Sequence, residues 1–329
     1  MKRAGQLMGR IADPDNLRLA FWKARKGKTY ATGVAHYRVN LDENLSRLRE
    51  QLLSGEVDVG KYHYFKIYEP KERKICAAAF DEQVLHHALM QVCDPCFERL
   101  QIFDSYATRR GKGTHAALER AKKFTHRYEW FLKLDVRKFF DSIHHGVVQQ
   151  QVGRLIKDGL VLHIFSKILD SYHVEPGRGL PIGNLTSQYF ANHYLAGLDH
   201  FIKENLRIGA YVRYMDDMVL WHNDKEALKT ALPAIRHYVA SQLLCDLKPV
   251  QLNRTTTGLP FLGYHVFPHH LRLLQQSKQR YIRKLALAET RLNTGEWSEA
   301  AYQRHVEPLL AFTQHADVTG FHRKILQSI

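Results

Sequence analysis

Two adjacent aspartates, Asp216 and Asp217, sit between two strongly apolar segments. Tyr211-Val212-Arg213-Tyr214-Met215 precedes them and Met218-Val219-Leu220-Trp221 comes after. Segments rich in Val, Tyr and Trp read as buried β-strands. Two such strands joined by a short polar link form a hairpin, and its turn then carries both carboxylates. The ordinary home of an Asp-Asp pair is a solvated loop. Such a loop does not need apolar strands of this strength on both sides.

The rest of the chain builds around that hairpin. Trp130-Phe131-Leu132-Lys133-Leu134-Asp135 is a short apolar strand that ends on a third carboxylate. Tyr62–Tyr68 and Arg73–Ala79 read as a second hairpin with a basic tip. Residues 13–26 read as a helix with Asp13 as N-cap and Pro14 at its first position. Further helices are expected at 41–53, 82–100, 114–128, 145–171, 185–204, 224–243 and from Ser277 onward. Gly153 and Gly159 weaken the middle of the 145–171 segment. Residues 258–274 read as two short strands around Pro268, and Trp22, Trp130 and Trp221 as core. Helices alternating with hairpins in this way suit an α+β fold with an antiparallel sheet. Carboxylates arriving from separate segments are what two-metal phosphoryl chemistry needs, with two Mg²⁺ ions roughly 3.5–4 Å apart.

Charge narrows the partner. Lys plus Arg number 48 against 33 Asp plus Glu, a net charge of +15 spread along the whole chain. Such a balance suits a polyanion tracked over a long surface, whereas plain solubility needs much less. Cys93 and Cys96 have metal-ligand spacing but lack a second Cys or His pair, so they read as reduced helix residues in a cytoplasm. His86-His87, His144-His145 and His269-His270 read as surface or RNA-facing groups. Gly111-Lys112-Gly113 before a helix reads as a phosphate grip or a plain flexible turn. No run reaches the ~18 apolar residues of a membrane span, and no apolar stretch succeeds the first residues, so neither membrane nor export is expected.

The motifs, taken in order, resemble those of reverse transcriptases. Tyr214-Met215-Asp216-Asp217 resembles the family's YxDD signature, and Leu134-Asp135 through Phe139-Phe140-Asp141 its motif A. Leu180-Pro181-Ile182-Gly183 through Gln188 resembles motif B. Leu247-Lys248-Pro249 and Phe261-Leu262-Gly263-Tyr264 resemble motifs D and E. Tyr68–Ile75 and Phe80–Leu85 resemble the fingers motifs. The resemblance implies a right-hand polymerase: N-terminal extension and fingers over 1–130, a palm of antiparallel sheet and helices over 131–272, and a short helical thumb over 273–329. Residues 265–329 leave room for a short thumb only.

The same resemblance assigns roles. Asp135, Asp216 and Asp217 would hold two Mg²⁺, which Mn²⁺ can replace, with the Val136 carbonyl as a further ligand and Tyr214 and Met215 as support. Lys71, Arg73, Phe140, Ile182, Gly183, Gln188 and Lys248 would surround the incoming nucleotide. Phe140 falls at the steric-gate position that excludes a 2′-hydroxyl and so selects dNTPs. Phe261, Leu262, Gly263 and Tyr264 would grip the primer. Many relatives carry Gln where this chain has Ile182, and the form Ile182-Gly183…Ser187-Gln188 resembles the enzymes of diversity-generating retroelements. That kinship implies a dedicated template RNA copied with errors at adenines, and primer, cDNA and dNTPs as ligands. It also implies a small basic accessory protein, possible oligomers and a bacterial or phage-encoded cytoplasmic enzyme. Other stand-alone bacterial reverse transcriptases (retron, phage-defence or CRISPR-associated) and a non-catalytic RNA-binding scaffold are the competing readings.

Overall fold

The structure, a computed structural model, describes residues 2–28, 30–68 and 72–326. Its contacts divide the chain into two compact units, each assembled from three separate stretches. The first comprises Met1–Phe103, Val136–Asn205 and Ala234–Lys248. Its helix Pro14–Arg25 starts where expected, because the Asp13 carboxylate accepts from the N–H groups of Asp15 and Asn16. That cap satisfies donors left orphaned at a helix start. Leu17, Ala20, Phe21 and Ala24 recur at helical spacing and are buried, packing on the long helix Phe80–Glu98. Strands β1 (Tyr62–Ile67) and β2 (Arg73–Ala78) form the basic-tipped hairpin, paired from Tyr62↔Ala78 to Ile67↔Arg73. The 145–171 segment is two helices, His145–Gly153 and Gly159–Asp170, parted between the two glycines. The side chain of Asp158 caps the second by accepting from the Val161 N–H.

The second unit comprises Asp104–Asp135, Leu206–Pro233 and Pro249–Ile329. Its main sheet uses β3 (Trp130–Asp135), β4 (Tyr211–Tyr214), β5 (Asp217–His222) and β6 (Gln251–Arg254) in the antiparallel order β4-β5-β3-β6. The inner strands β3 and β5 carry the densest apolar sequence, as strands covered on both faces require. The helix Thr114–Arg127 lays Ala117, Leu118, Ala121 and Phe124 into one core with Phe131, Val212, Val219 and Trp221. Each large side chain so buried contributes about 1.5–3 kcal/mol. The indole of Trp221 donates to Thr125 Oγ1 at 3.1 Å, so its polar atom is not stranded. A second antiparallel sheet, β7 (Leu259–Phe261), β8 (Tyr264–Val266) and β9 (Leu271–Leu273), shares this core. Helices Gln275–Asn293, Glu299–Thr313 and Thr319–Leu326 complete the unit.

Several expectations need correction. Residues 258–274 hold three strands, not two, and the polar edge strand β6 was not foreseen. Trp22 is 49% exposed, its ring covered by the Arg25 guanidinium 4.7 Å from the centroid. His86 and His145 are buried, not surface groups. The latter is fixed by a 2.7 Å hydrogen bond between its Nε2 and the Gly179 carbonyl. In the 111–113 loop, the Gly113 N–H donates to the Tyr106 carbonyl at 3.0 Å. Among the described residues no helix is long and apolar enough to cross a membrane.

Candidate active site

The carboxylates of the second unit are placed by strand register. Tyr214 pairs with Asp217 across β4 and β5, so Met215 and Asp216 are the two turn residues. Asp135 pairs directly with Asp217 across β3 and β5. Opposed residues on neighbouring antiparallel strands have Cβ atoms about 4.5–5.5 Å apart, and like charges there repel. Burial pushes the Asp217 carboxyl up from 3.8 to about 6, and the nearby Asp135 and Asp216 push it the same way. The Lys133 ammonium, 3.2 Å from Asp217 Oδ2, opposes that rise. Oδ1 of Asp217 is buried with no hydrogen-bond partner among the described residues.

An acidic group that is desolvated, crowded by like charge and left with an unpartnered oxygen is suited by its chemistry to take up a cation. Among the described residues no three Asp, Glu, His or Cys side chains close into a ready-made cage. Mg²⁺ does not require one, since it keeps several waters and completes its shell with substrate phosphates. Asp135, Asp216 and Asp217 therefore fit as the residues that would hold such ions.

The turn itself is strained. Met215 has φ 54°, a region that costs a non-glycine residue of order 1–3 kcal/mol. Arg213, fully buried in β4, offsets this with a 3.2 Å hydrogen bond from its guanidinium to the Met215 carbonyl. Its own main chain is stitched to the 104–106 segment, accepting from the Tyr106 N–H and donating to the Asp104 carbonyl. Tyr214 is half-buried and its hydroxyl accepts from Thr114 Oγ1 at 3.3 Å. Lys133 and Arg213 were missed as site residues. Both are lone cations inside apolar strands, two residues from Asp135 and three from Asp216, and that was the available signal.

The expected grip motif forms the turn between β7 and β8. Phe261 pairs with Tyr264, and the turn residues Leu262 and Gly263 have φ 48° and 91°. Phe261 and Tyr264 are fully buried. The Gly263 carbonyl accepts from the Leu274 N–H and from Ser277 Oγ. A Cβ on Gly263 would meet Ser277 Oγ at 3.1 Å and the Phe312 ring at 3.2 Å, so the position is closed to other residues twice over.

The first unit carries the remaining expected residues. Phe139 is buried and Phe140 only half-buried, which separates the core ring from the one available to a ligand. The Phe140 carbonyl accepts from the Leu180 N–H at 2.8 Å, tying the two motifs together. The Cys76 N–H in β2 donates to the Ile182 carbonyl at 2.8 Å. Gly183 comes next at φ 130°, and a Cβ there would come within 3.0 Å of the Cys76 carbonyl oxygen. Ile182 lines a cavity of about 730 Å³ with Tyr64, Arg73, Lys74, Asp141 and Tyr172. Gln188 is exposed on the helix Leu185–Tyr194. Val136 is buried and bridged to Leu247, the residue before Lys248. Lys71 lies outside the described residues.

Residues 69–266 match the family described as reverse transcriptase (RNA-dependent DNA polymerase). Protein YkfC of Escherichia coli is 25% identical over 69% of this chain and 71% of its own length. The group II intron-encoded protein LtrA of Lactococcus lactis is 24% identical over 49% of this chain, which spans only 28% of LtrA. Among solved structures, a telomerase from Candida albicans aligns with a TM-score of 0.52 at 11% identity, over 71% of this chain and 52% of the telomerase. One from Candida tropicalis aligns with a TM-score of 0.51 at 12% identity, over 88% and 58%. These likenesses establish the fold.

Proposed function

This chain belongs to the reverse transcriptase family, and we propose that it makes cDNA on a template RNA with low fidelity, as in a diversity-generating retroelement. Its α+β fold with antiparallel sheets is that of a right-hand polymerase, with fingers, palm and thumb divided near residues 130 and 272. Asp135, Asp216 and Asp217 would hold two Mg²⁺, which would supply electrostatic stabilisation of nucleotidyl transfer. The protein's part is to bind and orient. Asp217 and Asp135, fixed opposite each other by the sheet, keep their carboxylates converged. Phe140 stands against the sugar of the incoming nucleotide, and Arg73 donates charge-assisted hydrogen bonds to its phosphates. Phe261–Tyr264 hold the primer end.

The observation that carries low fidelity is the mounting of Ile182. Its main chain fastens β2, while its side chain lines the cavity shared with Arg73. An aliphatic group there offers the base pair shape but no hydrogen bond, and polar contacts discriminate far more strongly than apolar ones. The test is primer extension on RNA with dNTPs and Mg²⁺. Ile182→Gln is expected to lower misincorporation opposite template adenine; an unchanged error spectrum would remove the low-fidelity reading. Absence of any dNTP incorporation by the wild-type chain would remove the polymerase reading itself. The basic chain, with net charge +15, supports RNA as template. A small basic accessory protein belongs to the same proposal. The intron-encoded relatives favour, as second reading, a stand-alone enzyme of the group II intron type; it is distinguished by even errors across all four template bases.

A further inference from the structure

Lys133 lies in β3 two residues before Asp135, so both side chains leave the same face of the strand. Its side chain is 19% exposed, and its ammonium has two acceptors. One is Asp217 Oδ2 at 3.2 Å and the other the Pro260 carbonyl at 2.7 Å. Asp217 is a carboxylate of the proposed metal site. Pro260 belongs to β7 and directly precedes Phe261, where the proposed primer grip begins. Strand β7 is the edge of its sheet, bonded only to β8 within it. Proline has no N–H to offer, so at residue 260 the carbonyl is the main-chain group left for an outside partner.

We propose that Lys133 is a positioning residue that couples cation binding at Asp217 to the seating of the primer strand. The inference rests on reading this site as a polymerase centre. A part-buried ammonium must keep hydrogen-bond acceptors. Held by Asp217, it neutralises one carboxylate of a mutually repelling set. A divalent cation that claims Asp217 repels the ammonium, which then keeps the Pro260 carbonyl as its acceptor. The position of β7, and with it the grip turn, thus depends on whether the carboxylates hold a cation. Coupling of this kind is reciprocal: primer–template binding must change cation affinity by the factor by which the cation changes primer–template affinity.

The test uses the full chain at pH 8, above the value of about 6 to which burial raises Asp217, with Mn²⁺ as the probe ion. Electron paramagnetic resonance reads Mn²⁺ binding, and fluorescence anisotropy reads affinity for an RNA–DNA primer–template without dNTP. Lys133→Met removes the competing charge and the Pro260 contact together. It is expected to tighten Mn²⁺ binding roughly tenfold, to weaken primer–template binding, and to abolish the effect of Mn²⁺ on that binding. Lys133→Gln removes the charge but can still donate to Pro260. It is expected to tighten Mn²⁺ binding as much while keeping primer–template affinity near wild type, and it serves alone if the Met variant fails to fold. Mn²⁺ affinity that is unchanged or weaker in either variant overturns the proposal. So does a Mn²⁺ effect on primer–template binding that survives Lys133→Met. Both readouts are binding measurements, so they stand or fall apart from whether the wild-type chain incorporates dNTPs.

Discussion

Tyr214-Met215-Asp216-Asp217 and Phe261-Leu262-Gly263-Tyr264 are both two-residue hairpin turns of the second unit. Each enters its bend on a bulky aliphatic residue at positive φ, 54° at Met215 and 48° at Leu262. They differ in the second turn residue and in the bonds that hold the bend. Gly263 continues at positive φ, which matches the twist of a two-residue hairpin at no steric cost. Asp216 does not, and the first turn is braced by the buried guanidinium of Arg213 on the Met215 carbonyl. The 261–264 turn is held by main-chain and hydroxyl bonds to Gly263 and by Leu262, which packs on the core. The charged turn is braced from beneath by a side chain from outside it. The uncharged turn spends Leu262 on packing.

The largest expected effect separates the turns by chemistry. Asp216→Asn should reduce nucleotide incorporation to background in a primer-extension assay while leaving the thermal midpoint at or above wild type, because it removes repulsion. Gly263→Val should do the reverse in kind. It is expected to lower stability by about 2–3 kcal/mol, read by denaturant unfolding, through a β-branched residue forced to positive φ and through the clash with Ser277 and Phe312. Equal stability loss in both variants would break the contrast.

A smaller effect concerns pH. The Asp217 carboxyl titrates near 6 in the fold and near 3.8 when unfolded. The unfolded chain therefore binds fewer protons between those values. The stability this group contributes to the metal-free protein is complete below 3.8 and is lost as pH rises through about 6. Metal-free protein should gain stability on going from pH 7 to pH 4.5 through this group, and Asp217→Asn should flatten that part of the profile; an unaltered profile would refute the assignment. The 261–264 turn carries no acid and should add no slope. The smallest effect concerns strain. Met215→Gly should stabilise the fold by about 1 kcal/mol while lowering activity. Leu262→Gly should not stabilise it, since the packing lost outweighs the strain relieved.

The hairpin carrying Asp216 and Asp217 was legible because alternation, apolar flanks and turn chemistry all act locally. The pairing of Asp135 with Asp217 was legible only as a convergence, since register is set by the sheet as a whole. Asp13 was legible as a cap for the same local reason as the hairpin. Strand β6 was not, because Gln251, Asn253 and Arg254 lie on an edge whose polar sequence reads as loop. Trp22 was misplaced in the core because its apolar neighbours bury the opposite face of their helix. Lys133 and Arg213 escaped because a cation in an apolar strand declares nothing until its acceptors, at residues 217, 260 and 215, are brought to it by folding. Apart from its place in the resembling motif, only burial tells Phe140 from Phe139.

The bond from the Cys76 N–H to the Ile182 carbonyl uses atoms that every amino acid shares. Position 182 can therefore exchange its side chain while the seam to β2 is untouched, and Gly183 beside it absorbs the backbone demand. On the proposed reading, exchanging the side chain at 182 would retune how faithfully the template is copied, with little toll on folding. Accuracy would then be adjustable at one position, whereas at Gly183 a Cβ would come within 3.0 Å of the Cys76 carbonyl oxygen.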